Sequence, residues 1–322
     1  MSMFIKFIVA AILAGTPILF GILGEIMNEK SGHLNLGVEG MMALGACGGF
    51  VAGYFFDNLA VALIAAFIAG MLGALIYAFL TVTMMANQNV TGLTLTIFGI
   101  GLSNFVGECV RSFAKANLGT DSLKLPANVT AQLANINIPG LSDIPVVGEL
   151  LFSFNPYVYL GIAIAIVLAI YYNFTKVGLS VRAIGENPGA ADAAGVNIIR
   201  LKYINLLIGG GICGIGGSYC SMITCGGVWL PDSVNGMGWI AVALVIFSTW
   251  KPSKAILGAF IFGAFSILKY YVPKNIITIP NAIYDMLPFL LTAIILVVTS
   301  IRQSRENAQP ASCGLNYFRE ER

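Results

Sequence analysis

The sequence predicts an all-α integral membrane protein that crosses the bilayer about nine times. Composition gives the first reason, because the 322 residues are 57% hydrophobic and only 10% charged, whereas about a quarter of the residues of a soluble domain are charged. Patterning gives the second, because the apolar residues form long continuous stretches, and a helix needs roughly 20 such residues to cross a bilayer. We therefore expect a single transmembrane domain over residues 1–322.

The predicted spans follow each other along the chain. They cover residues 3–23, 36–56, 60–85, 92–113, 156–174, 201–224, 237–250, 254–271 and 283–300. The first span could also be a signal peptide, but its length suits a retained helix and no small-residue cleavage site stands out at its end. The seventh is short and follows a polar stretch at residues 231–236, so we expect a broken or partly re-entrant helix there.

Basic residues set the predicted orientation. Lys176, Arg182, Arg200 and Lys202 flank the polar stretch of residues 186–195, which marks the loop of residues 174–200 as cytoplasmic under the positive-inside rule. With an odd number of spans, the N-terminus then lies outside, and the C-terminal tail at residues 301–322 lies in the cytoplasm. Residues 114–153 are predicted to form an external loop that either meets an outside partner or covers the mouth of the bundle.

A compact polar segment in the cytoplasmic loop, residues 186–195, carries its own helix start and stop signals. Asn187 is a good N-cap, and Pro188 suits the first helical position. Asp192 can lie near the positive end of the helix dipole, and Gly195 is a natural C-terminal stop. We expect a short exposed helix here that binds a soluble partner.

A second group of polar residues lies near the predicted helix starts. Glu39 needs an explanation, because a charge at the centre of a span costs roughly 2.5 to 3.5 kcal/mol on insertion scales. With Asn35 it either lines a hydrated pathway or bonds an unwound backbone; the alternative is a helix-start carboxylate near the interface. Asp232, Asn235 and Trp239 surround the start of the seventh span. Amides and an indole suit a polar ring-shaped solute; the alternative is an interfacial aromatic anchor beside a turn-forming aspartate.

Two short patterns concern packing and symmetry. Residues 38–41 and 234–237 share the pattern Val-x-Gly-Met, and the predicted topology starts their spans on opposite sides, as an inverted repeat requires. Chance is the alternative for so short a match. Gly209, Gly211 and Gly214 fit G-x-G-x-x-G, but they lie inside a span with no strand before it. We therefore expect close helix packing or local unwinding instead of dinucleotide binding.

Several functions are not supported by the residues. The chain has no phosphate-binding loop, no H-E-x-x-H motif and one histidine, His33, so we expect no catalytic site, no metal site and no cofactor in this chain. A net charge of +2 does not indicate nucleic acid. The six cysteines lack metal-ligand spacing, and only Cys220 and Cys225 are candidates for a disulfide.

Three segments, residues 32–41, 185–195 and 236–247, together resemble a known family. They are similar to the permease subunits of bacterial ABC importers for nucleosides and simple sugars, near the branched-chain amino acid and ribose permeases, with most likeness to guanosine-type permeases. The resemblance implies a fold like that of type II importers. It also implies a translocation pathway for a purine nucleoside or a simple sugar, in the cytoplasmic (inner) membrane of a bacterium.

The resemblance further implies partners. These are an ABC ATPase that holds ATP and Mg²⁺, a second permease subunit, an extracytoplasmic solute-binding protein and membrane lipid. The segment at residues 186–195 would be the coupling helix that docks into the ATPase. The residues expected to take part are Glu186, Asn187, Pro188, Ala190, Ala191, Asp192 and Gly195. The chain departs from the broader pattern E-A-A-x-x-x-G, because Asn187 and Pro188 follow the glutamate.

Rival functions stay open at this point. An ion-gradient-driven secondary transporter would need intramembrane carboxylates, of which Glu39 is the only plausible one in the sequence. A membrane enzyme is disfavoured because the spans lack paired acids, a Ser/His constellation and metal ligands. A scaffold or a channel is a further alternative.

Overall fold

The computed structural model describes residues 3–120, 122–136, 148, 152–272, 280–302 and 308–318. Within these residues the chain is helical apart from its connections, and its one extended pairing is an isolated bridge between Lys124 and Val228. The helices are α1 (Met3–Lys30), α2 (Val38–Phe56), α3 (Leu59–Ala78), α4 (Gln88–Leu118), α5 (Ala127–Gln132), α6 (Pro156–Phe174), α7 (Lys176–Glu186), α8 (Pro188–Ala193), α9 (Ile198–Tyr219), α10 (Met237–Phe247), α11 (Pro252–Tyr271) and α12 (Asn281–Arg302).

The predicted all-α membrane fold is confirmed. Seven helices of the described chain are long and apolar enough to cross a bilayer, and π-helical turns at Phe79–Thr83 and Cys220–Thr224 extend two of them, α3 and α9. Shorter apolar helical stretches, Met237–Phe247 and Ala282–Ile294, occupy the places of the other two predicted spans. The predicted external loop lies partly outside the described residues; its described part includes the end of α4 and the short α5.

Burial separates central helices from peripheral ones. In an apolar stretch of 18 residues, 83% of the residues are buried in α9, against 28% in α4 and in α11. Helices α1, α2 and α9 pack against each other, while α3 packs on α2 and α9, and α11 packs on α1. The exposed apolar side chains of α3, α4 and α6 are suited to face lipid acyl chains.

Glycines allow the central helices to approach closely. A Cβ at Gly214 of α9 would overlap the carbonyl oxygen of Ala66 in α3, and a Cβ at Gly45 of α2 would overlap the Gly214 backbone. Small residues at helix contacts are typical of membrane bundles, where packing replaces the hydrophobic driving force. The packing interpretation of the glycine-rich motif is therefore confirmed.

The first helix is longer than predicted. The sequence-based span ends at residue 23, but α1 continues to Lys30 and keeps Glu25, Asn28 and Glu29 buried. The prediction ended early because carboxylates are costly in an apolar setting. Here Glu25 accepts hydrogen bonds from Asn28 and the Asn35 N–H, and Glu29 accepts them from Trp250 and Gln309. The helix therefore continues past both acids.

Candidate functional site

The start of α10 is capped by a carboxylate from α2. Glu39 Oε1 accepts the backbone N–H of Gly236 at 2.8 Å, and Oε2 accepts that of Gly238 at 2.6 Å. The first turn of a helix has N–H groups without helical partners and carries a partial positive charge. These charge-assisted bonds compensate the burial of the Glu39 side chain. They also join the two Val-x-Gly-Met segments directly, although an inverted repeat stays a prediction.

The loop before α10 is held in an unusual conformation. Asp232, Asn235 and Gly236 have left-handed backbones, with φ of 54°, 50° and 83°. Aspartate and asparagine adopt this region more readily than other side chains, and glycine adopts it without strain. Asn104 of α4 holds the loop, since its Nδ2 donates to Asp232 Oδ1 at 2.9 Å and its Oδ1 accepts the Asp232 N–H at 3.1 Å.

A cavity of about 320 Å³ opens beside this loop. It brings together four of the five predicted pathway residues, Glu39, Asp232, Asn235 and Trp239. Its walls come from α2, α4 and the start of α10, and they also include Ala43, Ile100, Ser103, Asn104, Ser233, Val234 and Gly236. The Trp239 side chain is 40% exposed, so an indole face, an amide and carboxylates converge on one space. Such a mixture can stack on a ring and bind its polar edge.

Asn35, the fifth predicted pathway residue, lies elsewhere. It is fully buried, its N–H donates to Glu25 Oε1 at 2.9 Å, and its Oδ1 accepts the Gly37 N–H at 2.9 Å. These bonds fix the connection between α1 and α2. The structure does not bring Asn35 to the cavity, and a pathway role for it stays a prediction.

The predicted caps of the polar segment at residues 186–195 are confirmed. Asn187 Oδ1 accepts the Ala190 N–H at 3.0 Å, and Pro188 is the first residue of α8. At the other end Gly195 has φ 80° and donates its N–H to the Asp192 carbonyl at 2.9 Å, while the next N–H reaches the Ala191 carbonyl at 3.1 Å. This pair of bonds is the Schellman motif, which satisfies the last carbonyls of a helix.

The side chains of this segment divide into an inner and an outer set. Ala191 is buried against Ile184 and Ile198. Asp192 is half-buried, and its Oδ2 accepts the Tyr317 hydroxyl at 3.1 Å. The expectation that Asp192 lies at the positive end of the dipole is wrong, because α8 has no acidic residue in its first turn. The outer set comprises the exposed Glu186, Asn187, Ala190 and Gly195, with Pro188 partly exposed.

The C-terminal segment at residues 308–318 folds back onto this side of the protein. Ser312 donates its N–H to the Gly185 carbonyl at 2.9 Å. Asn316 Nδ2 donates to the Met85 carbonyl at 2.6 Å. The sequence predicts only that this tail lies in the cytoplasm. Nothing in its polar pattern indicates the docking, since its partners, which include backbone carbonyls and the side chains of Glu29 and Asp192, are distant in the chain.

Two buried carboxylates near the end of α1 were also missed. Glu25 accepts the Asn28 side-chain amide at 2.8 Å, in addition to the Asn35 N–H. Glu29 Oε2 accepts the Trp250 indole N–H at 2.7 Å and the Gln309 amide at 3.2 Å. The expectation that Glu39 is the only plausible carboxylate inside a span is therefore wrong. Glu29 joins α1 to the connection before α11 and to the C-terminal segment.

Metal and disulfide chemistry find no support in the described part of the chain. No group of three or more histidine, cysteine, aspartate or glutamate side chains within the described ranges is arranged to hold a metal ion. All six cysteines are free, so the candidate pair Cys220 and Cys225 forms no disulfide.

The chain is similar to known membrane permeases. The model of the family described as branched-chain amino acid transport system / permease component matches residues 7–297. A candidate glucose ABC transporter permease protein, TsgC13 of Haloferax volcanii, is 35% identical over 81% of this chain and 75% of its own length. The guanosine ABC transporter permease protein NupQ of Bacillus subtilis is 34% identical over 89% of each chain. The nucleoside ABC transporter permease protein NupC of Lactococcus lactis is 30% identical over 98% of each chain.

Proposed function

We infer the function from the premise that this chain belongs to the family of branched-chain amino acid transport system permease components. It is the membrane-spanning permease subunit of an ABC importer. We propose that its solute is a purine nucleoside. Two relatives that align over 89% and 98% of the chain are named for guanosine and for nucleosides, while the relative named for glucose keeps a simple sugar as the second candidate.

The proposed solute pathway passes the cavity at the start of α10. The observation that carries this proposal is the convergence of Asp232, Asn235 and Trp239 on one space beside a broken helix start. Trp239 would stack on the nucleobase, and Asn235 would bind its polar edge. Glu39 is a positioning residue, because both of its carboxylate oxygens hold the N-terminus of α10.

The proposed energy input enters through residues 186–195 as a coupling helix. Its outer set of side chains would contact a separate ABC ATPase that binds ATP and Mg²⁺. Closure of the ATPase dimer would then move the coupling helices together and switch the pathway between inward and outward openings. The remaining proposed partners are a second permease subunit, as a copy or a paralogue, and a solute-binding protein on the opposite face.

The proposed location is the cytoplasmic membrane of a bacterium, with the coupling segment and the C-terminus inside and the N-terminus outside. The excess of basic residues around residues 174–200 supports this orientation. An ion-gradient-driven mechanism has one supporting observation, the buried Glu25 and Glu29. Their bonds to Asn28, Trp250 and Gln309 give them a structural role, so we favour ATP coupling.

The test of the solute is competition for uptake. The permease, its ATPase and its binding protein are reconstituted in proteoliposomes, and ATP-dependent uptake of labelled guanosine is measured with excess adenosine or glucose. The proposal predicts that adenosine competes and glucose does not. Uptake of labelled glucose that nucleosides leave unchanged would contradict a nucleoside solute.

A further inference from the structure

A basic cleft lies between the ends of three spans on the side of the coupling segment. Its volume is about 620 Å³. Three cationic side chains line it, Lys30 at the end of α1, Arg182 of α7 and Lys251 just before α11, against one acidic side chain, Glu186. Among the described lining residues, positive side chains therefore outnumber negative ones.

Two of the three cations lack an acidic partner in the part of the chain that the structure describes, since neither Lys30 nor Arg182 has a carboxylate within 4.0 Å. The Nε of Arg182 is buried and has no hydrogen-bond partner among the described residues. Arg182, Glu186 and Lys251 line the same cleft as the Lys30 ammonium. A buried donor without a partner is costly, so the arrangement favours an anionic ligand.

We propose that this cleft binds the phosphate of an anionic phospholipid headgroup. Arginine and lysine are the side chains that bind phosphate oxygens in proteins. Lys30 is the last residue of α1, Tyr172 lies near the end of α6, and Lys251 directly precedes α11. All three helices are long and apolar enough to cross the bilayer. The cleft therefore lies at the level of the membrane surface. Basic pockets between spans at this level are suited to lipid headgroups.

Apolar surroundings favour a lipid over a free phosphate. Leu179 lines the cleft and is 58% exposed, and Phe174, the neighbour of the cleft residue Asn173, is 82% exposed. Acyl chains would cover these side chains, whereas a free phosphate ion would leave them unchanged. The aromatic rings of Tyr172 and Trp250, also in the lining, are typical of the interface between membrane and water.

The test uses the full-length protein in detergent, titrated with phosphatidylglycerol or phosphatidylcholine, with bound lipid counted by native mass spectrometry. Wild type is expected to prefer phosphatidylglycerol. Arg182→Gln should weaken phosphatidylglycerol binding by about fivefold, since one basic residue near an anionic lipid contributes about that factor. Arg200→Gln, an exposed arginine outside the cleft, is the matched control and should bind as wild type does.

Further variants separate charge from folding. Arg182→Lys keeps the charge and should retain most of the binding, and Glu186→Gln should strengthen it by removing the one acid of the cleft. Lys30→Gln should weaken binding, whereas Lys254→Gln, an exposed lysine outside the cleft, should not. Equal affinity for both lipids, or full binding by both Arg182→Gln and Lys30→Gln, would overturn the proposal.

Two arms identify the source of the anion. Glycerol 3-phosphate and inorganic phosphate are added at the same ionic strength as a sodium chloride control. The lipid proposal predicts that neither displaces phosphatidylglycerol. Displacement by free phosphate would overturn the lipid assignment. So would Arg182→Gln and Lys30→Gln proteins that keep their lipid but lose assembly with the ATPase, because the cleft would then belong to that interface.

Discussion

The Glu39 carboxylate accepts the backbone N–H of Gly236 at 2.8 Å, although 197 residues separate the two in the chain. This bond, with the one to Gly238, lets a short helix begin inside the bundle without losing the hydrogen bonds of its first turn. The cavity that we assign to the solute lies beside this cap. The position of its polar walls therefore depends on Glu39.

Replacing Glu39 tests this dependence. Glu39→Ala leaves two N–H groups without their charged acceptor, which should cost about 2 kcal/mol or more of stability and lower uptake strongly. Glu39→Gln keeps one acceptor oxygen and should give an intermediate loss. Thermal unfolding and uptake are measured together, with Glu108→Ala as the control, because Glu108 pairs with Arg111 on an exposed helix face. Wild-type behaviour of both Glu39 variants would contradict the account.

The indole of Trp239 is predicted to contact the solute. Stacking of a base on an aromatic ring contributes about 1–3 kcal/mol, so Trp239→Ala should raise the apparent KM for guanosine about tenfold. Trp239→Phe keeps a ring and should raise it less. Phe105→Ala, at an exposed position of α4 outside the cavity, is expected to leave the KM unchanged. A Trp239→Ala protein with the wild-type KM would reduce this residue to a structural anchor.

Asn104 and Asp232 are predicted to act as one unit. The Asn104 side chain bonds both the carboxylate and the backbone N–H of Asp232. Either Asn104→Ala or Asp232→Ala should therefore release the loop before α10 and lower uptake. The double variant should be little worse than either single one. In a double-mutant cycle the coupling should be about 1 kcal/mol. Strictly additive losses would show that the two side chains act independently.

The left-handed Gly195 provides a test of the coupling segment. Alanine at φ 80° is strained by about 1–2 kcal/mol, so Gly195→Ala should distort the end of α8 and lower the solute transported per ATP hydrolysed. Gly189→Ala is the matched control, since its Cβ would meet no heavy atom closer than 3.4 Å in an ordinary helical turn. If Gly195→Ala transports as efficiently as Gly189→Ala, the precise shape of this helix end does not matter for coupling.

Local chemistry explains what the sequence could predict. The apolar stretches are long because a bilayer demands it, so the helices and their order follow from hydropathy. The caps at Asn187 and Gly195 act within four residues of themselves, and they too are visible in the sequence. The grouping of Asp232, Asn235 and Trp239 follows from their closeness in the chain.

Contacts between distant segments explain what the sequence could not predict. Glu29 is tolerated in α1 because Trp250 and Gln309, 221 and 280 residues away, donate to it. No periodicity indicates such pairs. Asn35 and Glu39 are close in the chain but have different partners, since the Asn35 N–H donates to Glu25 and the Glu39 carboxylate accepts from the α10 backbone. The docking of the C-terminal segment likewise depends on groups far away in the chain, such as the Gly185 carbonyl and the Asp192 side chain.

The most direct test of the central claim is the energy requirement of uptake. The permease is reconstituted with its ATPase and binding protein, and uptake of labelled guanosine is followed with ATP, with a non-hydrolysable ATP analogue, and with an ionophore that dissipates ion gradients. We predict uptake with ATP alone, none with the analogue, and no loss on adding the ionophore. Uptake that persists without ATP or without the ATPase, but collapses with the ionophore, would contradict the assignment of this chain as an ATP-driven importer subunit.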